Sequence, residues 1–388
     1  MTGSTAHDPV IVAARRSPVA PRGGVLARLD LAQLGAPVLR AALMDARVPV
    51  EAVDEVILGN ALGAGGNPAR LVALAAGLPQ TVTAMTVDRQ CCSGLDAVIL
   101  AARAIRAGEA DVVIAGGVES FSRAPVRMHR PLQKDGVPVP YDRPAFAPPS
   151  FPDPDPAEAA AALALQMQIT REEQEAYARA SHAAALRARA SGYLAAESVP
   201  LAGLEADAFT RPLDSSLQSR LPVLAGESVY GLTASTIAVE ADAAALLVLM
   251  SRKEAERREL KTLADVGQGV MTAGDPANPA AGVHEAALEL FRRTGASLED
   301  ISVMELMEAF AVQAMVSRHA LGLGSGDLRV NLGGGALARG HPIGASGAIL
   351  AVRLAHILAR DPAKETGLAA IAAAGGLGTA LFLRSTRG

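Results

Sequence analysis

Short apolar runs alternate along the chain with longer stretches in which apolar residues recur every three to four positions. Val10–Ala14, Glu55–Leu58, Asp111–Ala115, Val303–Leu306 and Ala369–Ala374 read as buried strands. Asp30–Asp45, Gly94–Gly108, Arg171–Ser191, Pro279–Thr294, Phe310–Leu321 and Ala345–Arg360 carry the helical period. Strands separated by helices of this length predict βα units around largely parallel sheets, an α/β fold.

The stretch Arg123–Pro156 breaks the pattern. It holds ten prolines and no period. Proline ends helices and cannot donate to a strand ladder, so this is an excursion from the core. After the Arg171–Ser191 helix the chain is irregular to about Leu232, and connections this long are usually lids or binding loops. Two segments share one plan. Cys91-Cys92-Ser93-Gly94 opens an alanine-rich helix followed by a strand ending in Gly116-Gly117. Gly344-Ala345-Ser346-Gly347 opens another, with a strand ending in Gly375-Gly376. The order and scale fit a duplicated α/β fold.

Composition narrows the function. The 388 residues are 50% hydrophobic and 20% charged, enough for a large core, and the net charge of -4 offers no basic surface for nucleic acid or anionic lipid. Aromatics are 3%, with no Trp, so base-stacking platforms are not expected. The only cysteines, Cys91 and Cys92, are neighbours, which excludes a disulfide framework or a Cys/His zinc site. The opening residues lack a signal-peptide pattern, and no run of about 18–20 apolar residues is evident. A soluble cytoplasmic protein with no membrane, nucleic-acid or metal partner is the expectation.

Cys91 lies between a β-like stretch, Ala84–Val87, and the start of a helix. A helix N-terminus favours thiolate, so Cys91 is a candidate nucleophile; a buried structural thiol is the alternative. His341 is flanked by glycines and followed by Pro342, an irregular setting in which functional side chains are common. No Gly-Lys-Ser/Thr follows the glycine run, so it is not a P-loop. His7, His129, His182, His284, His319 and His356 read as structural. The turn Ala372–Gly378 either presents backbone N–H groups to an oxyanion or simply joins two strands.

Taken together these segments resemble the thiolase family. The likeness runs through Val10–Pro18, Gly66–Arg70, Gly77-Leu78-Pro79, Val87–Leu95 (VDRQCCSGL), Ala115–Pro125 (AGGVESFSRAP), Arg171–His182 and Gly334–Gly347 (GGALARGHPIGASG). The resemblance implies a five-layered αβαβα fold built from two duplicated halves, residues 1–255 and 256–388, with a lid inserted at about 122–232. It implies a CoA thioester as substrate and no tightly bound cofactor. Cys91 would be the acyl-accepting nucleophile, His341 its base, and the N–H groups of Cys91 and Ala374 the oxyanion donors. Ala238, Gly340 and Gly375 would border the substrate. A homodimer or homotetramer is implied, with the apolar stretch Thr81–Val87 pairing across a twofold axis.

The departures carry equal weight. The family's Asn-Glu-Ala-Phe segment is here Met307-Glu308-Ala309-Phe310, and a thioether cannot donate a hydrogen bond. The cysteine of its Cys-x-Gly segment, an acid/base for the α-proton, is here Ala372. The serine that usually contacts pantetheine aligns with Ala238, and Asp88 stands where Asn is usual. Acylation is therefore expected to be intact and carbon–carbon chemistry impaired, unless Cys92 substitutes as acid/base. Two readings remain: an acyl-CoA C-acyltransferase, with an altered acceptor as one form of it, or a non-catalytic subunit that binds acyl-CoA or a partner chain.

Overall fold

The computed structural model describes residues 6–63, 65–324 and 326–386. Nine strands form its main sheet: β1 (Pro9–Arg16), β2 (Glu55–Gly59), β3 (Thr83–Val87), β4 (Val112–Ser120), β5 (Ala241–Ser251), β6 (Ala264–Ala273), β7 (Val303–Leu306), β8 (Thr366–Ala373) and β9 (Leu377–Arg384). Their order is β7-β8-β9-β6-β1-β5-β4-β2-β3, and the two-residue strand Ala20–Pro21 adds to β5. The principal helices are α1 (Leu31–Ala46), α2 (Pro68–Ala75), α3 (Ser93–Ala107), α4 (Pro156–Gln166), α5 (Arg171–Ala190), α6 (Gly282–Thr294), α7 (Ala311–Ala320) and α8 (Ile343–Arg360).

The expectation of a largely parallel sheet is corrected. Only β2–β4, β2–β3 and β7–β8 are parallel; β4–β5, β5–β1, β1–β6, β6–β9 and β9–β8 are antiparallel. The apolar runs marked β1, β4 and β8 but not their antiparallel neighbours β5, β6 and β9, which follow neighbouring strands or irregular chain without an intervening long helix. The pairing itself shows the duplication. From β2 through β4 and β5 to β1, and from β7 through β8 and β9 to β6, the steps are parallel, antiparallel, antiparallel. A parallel bridge between Met304 and Val330 stands where β3 stands in the first half.

The layers follow from where apolar residues fall. Helix α3 has Leu95, Val98, Ile99, Ala102 and Ile105 on one face and ends on Gly108 in the left-handed conformation that closes helices without steric cost. Helix α8 is buried almost all round and lies with α3 in a central layer between the strands of the two halves. By length and composition α8 is apolar enough to cross a membrane, which corrects the expectation that no such segment exists. It is a core helix, with 78% of it buried inside the fold. Helices α1 and α2 cover the outer face of the first half, and α6 covers that of the second.

A buried ion cluster ties the halves to the connection after α5. Arg16 on β1 binds Glu197 (2.7 Å) and Asp207 (2.7 Å), while Arg353 in α8 lies 3.7 Å from Glu197 and 3.5 Å from Glu305 on β7. Burial opposes charge on Glu197 and Asp207, yet the arginines outweigh it and hold both carboxyls below their ordinary range. Their contribution is thus complete at neutral pH and lost only as pH falls through those lowered values. Arg16→Met is expected to cost about 3–5 kcal/mol by leaving Asp207 buried without its ion-pair partner and Glu197 with only the longer contact to Arg353. Thermal and urea denaturation at pH 7 check this.

Candidate active site

The chain before α3 makes a tight turn. Asp88 Oδ1 accepts from Gln90 N (3.0 Å), and Gln90 takes a left-handed backbone, φ 55°. Ser93 Oγ accepts from Arg89 N (2.8 Å) and donates to Gln90 O (2.6 Å). Cys91 follows the left-handed residue and precedes Cys92, the N-cap of α3. The turn separates the two thiols. Cys91 is half-buried and lines a pocket, whereas Cys92 is fully buried with its Sγ 3.7 Å from Ile371 O. Cys92 is therefore not placed to replace the family's second cysteine.

His341 enters from the other half. Its N–H donates to Val239 O (2.8 Å), which fixes the backbone two residues before α8 begins. Its Nε2 stands 3.2 Å from Cys91 Sγ, and its Nδ1 stands 2.6 Å from Ser346 Oγ. The Ser346 hydroxyl donates to Pro342 O (2.9 Å), so its oxygen accepts from Nδ1–H. That assigns the tautomer: the lone pair of Nε2 faces the Cys91 thiol. Ser346 lay within the quoted histidine segment, but nothing in its local sequence marked it as the residue that orients the ring.

Burial weighs against the thiolate that the helix start favours. Burial pushes the Cys91 thiol up to about 12, and the Glu119 and Asp88 charges add to it. Burial, then Arg339, pushes His341 down to about 4. Desolvation thus favours the neutral forms of both groups, thiol and imidazole. Proton transfer from Sγ to Nε2 then accompanies attack on an electrophile.

The pocket of about 210 Å³ gathers residues from distant parts of the chain. Met307, Ala372, Ala374 and Ala238 line it. Ala374 sits in the turn between β8 and β9, so the turn joins two strands and also borders the pocket. Gly340 and Gly375 do not line the pocket. A Cβ on Gly340 would lie 2.9 Å from Ala241 Cβ, and one on Gly375 would lie 3.1 Å from Phe146 O, so these glycines allow close packing. The sequence reading missed Gln90, Ile237, Gln313, Ile343 and the lid-side residues Phe146 and Ala160. Helix α4, which supplies Ala160, has the nearly uniform sequence PAEAAAALALQ and offers no period. His284 lies on α6 away from this lining.

Glu308 does not face the pocket chemistry. It accepts from Tyr177 Oη (3.2 Å), Ser181 Oγ (2.8 Å) and Asn331 Nδ2 (2.7 Å), and so binds α5 to the second half. Ala238 N donates to Ala309 O (2.9 Å), which knits the lining segments together.

Two similar α/β halves, with a thiol from one helix start meeting an imidazole from the other, define a class of duplicated α/β proteins. The thiolase N-terminal domain matches residues 9–253, and the thiolase C-terminal domain matches residues 260–385. The chain belongs to the thiolase family. YhfS of Bacillus subtilis (strain 168) is 39% identical, covering 96% of this chain and 98% of the relative. VraB of Staphylococcus aureus (strain COL) is 36% identical, covering 97% and 100%. Both names assign them provisionally as acetyl-CoA C-acetyltransferases. The crystal structure of Bacillus anthracis acetyl-CoA acetyltransferase superposes with a TM-score of 0.89 at 34% identity, covering 98% of this chain and 99% of that one. Human mitochondrial 3-ketoacyl-CoA thiolase in complex with CoA gives 0.90 at 29% identity, covering 98% of each. These similarities agree with the five-layered duplicated fold.

Proposed function

We propose that this chain is a CoA-dependent acyltransferase that carries the acyl group on Cys91. The observation that carries this reading is the 3.2 Å approach of His341 Nε2 to Cys91 Sγ, with Nδ1 committed to Ser346. As Sγ attacks the thioester carbonyl, its proton passes to Nε2. Backbone N–H groups of Cys91 and Ala374 receive the developing oxyanion. Collapse expels CoA sulfur, which takes the proton back from Nε2, leaving acyl-Cys91 and free CoA thiol. The thiolase matches and the acetyl-CoA C-acetyltransferase names of the relatives support an acyl-CoA donor.

The second half-reaction sets this chain apart. Condensation needs a group to move an α-proton and a donor for the enolate, and the pocket offers Ala372 and Met307 at the family's positions. Gln313 is already engaged: its Oε1 accepts from Ala309 N (3.1 Å) and its Nε2 donates to Ser317 Oγ (3.3 Å). An acceptor bearing its own nucleophile, such as an amine, an alcohol or an electron-rich aromatic carbon, makes no demand on either missing group. A purely CoA-binding subunit has no use for a thiol aimed at an oriented imidazole. Intact-mass measurement after mixing with acetyl-CoA and longer acyl-CoAs tests the reading; no covalent acyl adduct with any of them would refute it.

The assembly belongs to the same proposal. Strand β3 pairs only with β2 among the described strands, and Met85 on it is 41% exposed. An open edge of this kind is covered by pairing in stable proteins. A homodimer through β3 is expected, and light scattering at micromolar concentration checks it; a single species at the 39.6 kDa chain mass would overturn it.

A further inference from the structure

Glu119, near the end of β4, takes no part in the chemistry above, yet it is fully buried close to it. Its carboxylate accepts four hydrogen bonds. Asn60 Nδ2 (2.7 Å) and Leu62 N (3.3 Å) donate to Oε1, and Ala61 N (2.9 Å) and Gly344 N (2.9 Å) donate to Oε2. Three of these bonds gather the chain leaving β2. The fourth crosses to the first turn of α8, between His341 and Ser346.

Glycines make that crossing tight. A Cβ would stand 2.0 Å from Gly344 O if placed on Gly117, 2.6 Å if on Gly59 and 2.7 Å if on Gly94. The start of α8 thus sinks against β2, β4 and the start of α3, with backbone on nearly every side. A Cβ on Gly344 itself would meet Glu119 Oε2 at 2.9 Å. The carboxylate is the charged group that grips this turn.

We propose that the ionised carboxylate of Glu119 is a positioning residue for the Cys91–His341 pair, holding the first turn of α8 through Gly344 N–H and so setting where Nε2 stands against Sγ. The proposal rests on the acyl-Cys91 reading given above. Every partner of the carboxylate is an N–H donor. A protonated Glu119 would turn an O–H toward these donors and give up at least one of them, and the Gly344 bond is the one that reaches the histidine turn.

The ionisable groups around Glu119 are few. Asp88 acts on it from the nucleophile turn, and its own charge acts on the Cys91 thiol. Asp30 and Arg123 line the small pocket beside it with Ser120, and the loop after β2 and the start of α8 contribute only amides. Burial pushes the carboxyl up to about 7, against the pull of the Ala61, Gly344 and Leu62 amides. Burial moves His341 down and Cys91 up, away from neutrality, so a limb near neutrality is expected from Glu119, and its loss in a Glu119 variant identifies it.

The test is the single-turnover rate of Cys91 acylation by an acyl-CoA, followed by intact mass from pH 5 to pH 9, for the full chain and for Glu119→Gln. The unaltered protein is expected to accelerate through about pH 7 to a plateau. The variant is expected to show no such limb and to run roughly 10- to 100-fold below that plateau, since misplacing a reacting group by about 1 Å costs on the order of 100-fold. Its affinity for the acyl-CoA should stay within about twofold, which separates positioning from a general loosening of the fold. A folded variant that matches the plateau rate at pH 8 overturns the proposal. Should the variant fail to fold, the unaltered protein decides: a flat profile from pH 5 to pH 9 overturns it and a limb near pH 7 supports it. Absence of acylation in the unaltered protein at every pH would instead refute the acyl-Cys91 reading.

Discussion

Cys91→Ala is expected to abolish the acyl adduct, since the group that accepts the acyl chain is gone. Cys92→Ala should leave adduct formation intact, because its Sγ lies in the core against Ile371 O. His341→Ala should slow acylation by roughly 100- to 10,000-fold, the range for losing a positioned general base. The same change at His129 or His319 should leave the rate unaltered. Intact mass and peptide mapping after exposure to acetyl-CoA and longer acyl-CoAs report all four results. An adduct confined to Cys92 would overturn the assignment. The acid limb set by His341 belongs near pH 4, since burial holds the imidazole neutral above it. The sign follows: protonated His341 cannot accept the thiol proton, so acylation is lost as pH falls through that value.

The unaltered protein is expected to form acyl-Cys91 from acetyl-CoA with little exchange of the acetyl α-protons in heavy water. Acylation draws on Cys91, His341 and backbone donors. Exchange draws on a proton acceptor and an enolate donor, where the pocket has Ala372 and Met307. Losing one oxyanion donor costs on the order of 100- to 1,000-fold, and losing a general acid/base costs roughly 100- to 10,000-fold. The double change Met307→Asn, Ala372→Cys should therefore raise exchange by several orders of magnitude while acylation changes little. Both positions line the pocket, so the restored groups would face the acyl group. Rapid exchange in the unaltered protein would show that another group serves as acid/base and would refute the reading of the second half-reaction. Cys92 and His284 are poor candidates for that part, one buried in the core and the other on α6 outside the lining.

Much of this molecule was legible before any coordinates. Strand β7 falls on the residues expected, and α1, α3, α5 and α8 lie within two residues of their expected ends. These elements carry a clear apolar period or run, and several carry capping signals, such as Asp30 with Gln33 on α1 and Thr170 with Glu173 on α5. Helix α4 lacked both a period and a polar face. Strands β5 and β6 were hidden because local chain cannot tell a buried antiparallel strand from other apolar stretches. The direction of pairing was misjudged for the same reason: it depends on which strands become neighbours.

By itself the sequence determined which side chains were available: two adjacent thiols, a histidine among glycines, and Met307 and Ala372 where the family carries a donor and an acid/base. It also determined the duplication, since each half repeats a helix start followed by a strand ending in two glycines. Only the tertiary structure decided what these groups do to one another. Cys91 and His341 lie 250 positions apart, and their 3.2 Å contact depends on two helix starts packed together through glycines. The same packing partly desolvates both groups, and that desolvation, a property of the enclosing fold, favours thiol and neutral imidazole over the thiolate that the helix start alone would favour. It likewise gives Glu119 its place, because a carboxylate acquires four amide donors from two segments far apart in the chain only when the fold has closed around it.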